Sequence, residues 1–109
     1  MTRKAISDMV KGIGLPYAYY EFPDDTPQEP PFVCFFFPES DDFHADNQNY
    51  VGIERLIIEL YTDEKDFAQE SAVESVLVSN NLTYRKVETY IGSERMWQIT
   101  YEMEVIIDE

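Results

Sequence analysis

The chain of 109 residues carries one cysteine, four glycines, and eight basic residues against 22 acidic ones. Each shortage removes a class of protein. A single cysteine, Cys34, rules out a disulfide framework within the chain, and inside the run PFVCFFF it reads as a small buried hydrophobe, in keeping with a reducing cytosol. The scarcity of lysine and arginine leaves a formal charge of −14 and a sequence pI near 4.2. Such a surface repels phosphate backbones and anionic membranes, which argues against direct nucleic-acid binding through a basic face. Basic surfaces, or further copies of the chain, are the expected partners. No run approaches the ~20 apolar residues of a membrane span, and MTRKAISDMVKGIG has no apolar core of signal-peptide length, so a soluble, unexported protein is expected. There is no G-x-S-x-G, no P-loop and no dinucleotide fingerprint. Cys34 and His44 are the only members of a possible thiol dyad, and burial would keep the thiol protonated and inert. The expectation is a protein without enzymatic chemistry and without a cofactor.

What the chain does have is enough apolar material for one core, at 44% hydrophobic and 15% aromatic residues. Ala5, Ile6, Met9, Val10 and Ile13 recur at helical spacing between Thr2 and Gly14, and Pro16 closes that segment. Tyr17 to Phe22 reads as a strand, and the following PDDTPQEPP as an exposed connector. Phe32 to Phe37 fits a strand buried on both faces or packed at an interface. From Tyr50 to Thr62 a long strand alternates, with Leu56, Ile58 and Leu60 on one side and Arg55, Ile57, Glu59 and Tyr61 on the other. Thr62, Asp63 and Glu64 carry the start signals of a second helix running to about Ser79, with Ala68, Ala72, Val73, Val76 and Leu77 as its stripe and Asn80 and Asn81 as its stop. Thr83 to Ile91 and Glu94 to Ile107 form a hairpin through a two-residue turn at Gly92 and Ser93. Trp97, Ile99, Tyr101, Met103, Val105 and Ile107 share its inward face. The pattern predicts an α+β fold, a mainly antiparallel sheet with two helices packed on one face. It forms a single domain over 1–109 with a projecting loop or hairpin arm at 39–49.

Two groups stand out as candidate sites. In the arm, Asp41, Asp42, His44, Asp46 and Asn47 offer ligand types close together, but their spacing matches no calcium loop, so a solvated acidic loop is expected there and no metal. Phe43 is the single large anchor among these polar residues. It serves either as a lid over the domain's own core or as a docking side chain, which makes Phe43, His44, Asp46, Asn47 and Tyr50 the candidate subunit or partner contacts. The second group is the crowd of rings from Tyr17 to Phe37, more than one small sheet face readily hides, which suggests subunit contact beside a core built on large rings.

The segments LPYAYYEFPDD, PPFVCFFFPESDDFHADNQNY, IIELYTDEKDFAQE and ETYIGSERMWQITYEMEVII resemble small proteins from the head-to-tail morphogenesis region of siphophages and prophages of Gram-positive bacteria, in particular the tail-terminator or tail-completion group. The likeness covers most of the chain, with Leu15, Pro16, Tyr20, Phe22, Ala45, Tyr61, Lys65, Tyr90, Met96 and Tyr101 among the matching positions. His44 and Cys34 depart from it. The resemblance implies an α+β sandwich, no catalytic group, and a homo-oligomer in the form of a hexameric ring that meets tail-tube and head-connector proteins. It also implies assembly in the host cytoplasm and a place in the virion tail. DNA would pass through the ring without sequence-specific binding, and acidic walls would keep the duplex from sticking. A competing reading from charge alone is an acidic DNA mimic that occupies the basic groove of a nucleic-acid enzyme, which requires the acids to line one continuous face.

Overall fold

A computed structural model describes residues 1–39, 43–45 and 48–108, of 43–45 and 48–51 the backbone alone. Helix α1 spans Arg3–Lys11 and begins where Thr2 Oγ1 accepts a hydrogen bond from the Ala5 amide at 3.0 Å. It ends at Gly12, two residues before Gly14 turns the chain at a φ of 91° that favours glycine. Strands β1 (Tyr17–Tyr19), β2 (Phe32–Phe36), β3 (Phe43–Ala45) and β4 (Gln48–Thr62) follow. Helix α2 (Phe67–Ser79) and the strands β5 (Arg85–Ile91) and β6 (Met96–Ile107) complete the order.

Five strands lie side by side as β1-β2-β4-β6-β5, and β3 pairs with the start of β4 off this path. All neighbours are antiparallel except β1 and β2, which run parallel. This is the α+β architecture expected from the sequence, with both helices on one face. The spine is the β4–β6 ladder from Gly52↔Ile107 to Thr62↔Trp97. Its inward residues Leu56, Ile58, Leu60, Ile99, Tyr101, Met103 and Val105 are buried, and Ile6, Met9 and Val10 of α1 with Val73 and Leu77 of α2 close over them. Burying such side chains supplies roughly 1.5–3 kcal/mol each, which is what holds both helices to this face.

Four local expectations shift. The first strand stops at Tyr19 because Tyr20 turns left-handed, at a φ of 69°, while its amide still reaches the Phe35 carbonyl at 2.8 Å. Helix α2 starts four residues late: Thr62 remains in the ladder opposite Trp97, and the cap is Asp66, whose Oδ1 accepts from the Gln69 amide at 3.1 Å. Ladder pairing of a buried threonine outweighs a local capping preference. The stripe of α2 is Glu70, Val73 and Leu77, with Ala68 exposed. The hairpin turn has four residues, since Ile91 pairs with Met96 and Arg95 takes a φ of 51°. The stop of α2 is as expected. Asn81 adopts a φ of 58°, its amide donates to Val78 and the Leu82 amide to Leu77, a Schellman ending that brings two leucines together.

Candidate interaction surface

The parallel pairing of β1 and β2 decides the most unusual surface of the molecule. Parallel neighbours cannot be joined by a tight turn, so the chain leaving Tyr19 must return to the end at which β1 began. Residues 20–31 make that return without a helix, turning at Tyr20 and again over Pro23 to Thr26, where the Thr26 amide donates to the Pro23 carbonyl at 3.0 Å. They run over the helix-free face of the sheet, where they roof the outward side chains of Phe32, Cys34 and Tyr61. Cys34 is therefore 3% exposed although it lies outside the helix-covered core. Burial, with Glu59 and Glu21 nearby, pushes its thiol up to about 11, so the inert cysteine expected from the sequence is what the surroundings produce.

Rings order this face. Phe22 meets Phe32 edge-on at 5.3 Å, Phe32 stacks on Tyr61 at 4.8 Å, and Tyr20 meets Phe36 edge-on at 5.3 Å. Beyond them Gln98 donates to both Tyr61 Oη at 2.8 Å and Glu59 at 3.0 Å, and the Tyr61 hydroxyl donates to Glu59 at 3.1 Å. Burial raises the Glu59 carboxyl above its ordinary range and the Tyr61 hydrogen bond only partly offsets this. The surplus of aromatic residues noted in the sequence is thus divided. Phe35 enters the core, whereas Tyr19 and Tyr20 are 55% and 62% exposed at the sheet edge.

Six of the eight basic side chains pair with acids, Arg55 and Arg85 on this same face and the others away from it. Lys65 pairs with Glu70 and Glu88, and Lys86 lies 2.7 Å from Glu70 and 2.8 Å from Glu74, tying α2 to β5. Glu70 is 2% exposed, and its Oε1 faces the Lys86 ammonium, whose charge compensates it. Burial pushes the Glu70 carboxyl up, but the two lysines outweigh it and hold it below its ordinary range. Burial lowers Lys86 and the same carboxylates overcome that, bringing it up to about 12. The Tyr101 hydroxyl, raised by burial, donates to Glu74 at 2.7 Å. Arg55 contacts Glu39 at 2.7 Å and Arg3 contacts Glu54 at 2.8 Å.

Of the contacts expected in the arm, Phe43 and His44 fall in β3, opposite Val51 and Asn49, with a register irregularity between them. Tyr50 lies in β4, while Asp46 and Asn47 are outside the described residues, as are Asp41 and Asp42. Among the described residues no three potential metal ligands gather. Sequence reasoning missed the Glu70 network, although residue 70 sits on the apolar stripe with Val73 and Leu77, where an acid signals a buried partner.

Neither a protein-family model nor a curated protein matches the chain. Among solved structures, a chain from the virion of the native gene transfer agent (GTA) particle has the same fold. The TM-score is 0.64 over 98% of this chain and 89% of that one, at 15% identity. An α+β domain of this topology is therefore one that a virion component uses.

Proposed function

We propose that the protein is a structural component of a phage or phage-like virion, a tail terminator that forms a ring, caps the tail tube and joins it to the head connector. The observation that carries this reading is the fold shared, over nearly the whole chain, with a component of the gene transfer agent virion. The resemblance of the sequence segments to tail-completion proteins supplies the finer role and the hexameric ring. Surfaces suited to such contacts exist at the exposed rings of Tyr19 and Tyr20 and on the helix-free face of the sheet. The function needs shape and charge complementarity and no chemistry. It would be carried out in the host cytoplasm during assembly and then in the virion tail, with DNA passing an acidic wall. DNA mimicry is less well supported, because Glu39, Glu54, Glu70, Glu74, Glu88 and Glu102 face lysine or arginine within the chain and do not stand free as a phosphate-like row.

Electron microscopy of the protein mixed with its tail-tube protein tests the reading. Rings closing one end of each tube are expected, with native mass spectrometry giving six copies. Tubes that stay open and grow without limit in its presence would refute it.

A further inference from the structure

The cavity between the connector 20–31 and the helix-free face has a volume of about 400 Å³. Its walls are the rings of Tyr20, Phe22, Phe32 and Tyr61, and Cys34 lies at the base. Glu21, Asp24 and Glu94 add carboxylates to the lining, and neither lysine nor arginine is among the residues that line it. Aromatic walls with acids and no internal cation have a definite chemical complement. A flat guanidinium stacks on ring faces and forks its N–H donors to carboxylates, whereas an ammonium stays hydrated and an aliphatic chain leaves the carboxylates unserved.

We infer that this cavity is a docking site for an arginine side chain presented by an extended segment of a partner protein. Charge complementarity selects the partner: a chain at −14 draws in basic segments and repels nucleic acid. The ring pairs Phe22–Phe32 and Phe32–Tyr61 shape the walls while the connector lies closed over the sheet. Glu59, hydrogen-bonded by Tyr61 and Gln98, acts electrostatically on Cys34 and so adds negative potential beneath the site. Engagement is through hydrogen bonds and stacking, and no covalent step is involved.

The test is an NMR titration of the free, isotopically labelled subunit with a blocked Gly-Arg-Gly peptide, and in parallel with Gly-Lys-Gly, Gly-Leu-Gly and spermidine. The arginine peptide is expected to give saturable shifts centred on Phe32, Cys34 and Tyr61, with a dissociation constant on the order of millimolar. Lysine should bind at least about threefold more weakly. Glu21→Gln combined with Glu94→Gln, both at exposed positions where the fold is spared, should weaken the arginine peptide about tenfold. Shifts spread over the whole acidic surface, or binding undiminished in the double variant, would overturn the inference in favour of diffuse attraction. Equal binding of the leucine peptide would make the cavity an aliphatic pocket, and equal binding of spermidine a polyamine site; either result would overturn it too. The titration reads the free subunit, so its outcome is separate from whether rings form on tail tubes.

Discussion

The two faces of the sheet are built from alternate residues of the same strands, yet they answer to different demands. On the helix-covered face Leu56, Ile58 and Leu60 of β4 meet Ile99, Tyr101 and Met103 of β6, and nearly every side chain is out of water. On the other face Arg55, Ile57, Glu59 and Tyr61 meet Glu104, Glu102, Thr100 and Gln98, a mixture of apolar and hydrogen-bonding groups left half-buried apart from the exposed Glu104. A period of two lets one strand build the core on one side and leave the other side to surface chemistry with little interference. The difference teaches that substitutions one residue apart should separate stability from assembly.

The largest effect is expected at Ile99, fully buried in the core cluster to which both helices contribute. Ile99→Ala should cost ~2–5 kcal/mol in chemical denaturation. A loss below about half a kcal/mol would erase the distinction between the faces.

Next is Glu70, which joins the covered face to the hairpin. Because Lys65 and Lys86 are partly exposed and can relax toward water, Glu70→Ala should cost about 2–3 kcal/mol, below the full penalty for breaking a buried pair. Its pH dependence has a definite sign. The folded carboxyl lies below its unfolded value, so the native state binds fewer protons in that window. The stabilisation is complete above the ordinary carboxylate range and lost as pH falls through the lowered value. Denaturation midpoints of the variant should therefore fall less steeply on acidification than those of the parent.

Ile57, opposite Phe36 and Glu102 on the open face, should be cheaper. Ile57→Ser is expected to cost about 1 kcal/mol in the subunit, and a cost equal to that of Ile99→Ala would show that the open face is core as well. Smallest is Glu59→Gln, which keeps a side chain able to accept from Tyr61 and removes a charge that burial opposes. Here the sign is reversed. The folded pKa is raised, so the native state holds its proton longer and stability falls as pH rises through the raised value. At neutral pH the variant should be unchanged or more stable by less than about 1 kcal/mol, and a clear loss would mean that the charged form is satisfied where it lies.

Much of this division could be read from the sequence. The alternation in 50–62 and 96–107 identifies the inward residues, and Asn81 marks the end of α2, because period and left-handed propensity are local properties. The parallel neighbour of β2 was not legible: Tyr17 to Tyr19 looks the same whichever direction its partner runs. The roofed cavity follows from that pairing and was hidden with it. Glu70 escaped for a related reason, since its partners Lys65 and Lys86 come from either side of the helix and only the folded hairpin assembles them.

The helix-free return from β1 to β2 also sets a mechanical order within the molecule. The segment is held at one end by a three-residue edge strand and along its length mainly by rings resting on the open face, whereas the β4–β6 ladder is held on both sides. The roof should therefore detach in a partial opening that leaves the rest of the sheet intact, with amides of 17–22 exchanging their hydrogens well before those of 56–60 and 99–105. A closed roof hides Cys34 and a detached one uncovers it, so the rate at which a thiol reagent labels the native protein is a direct clock of that opening.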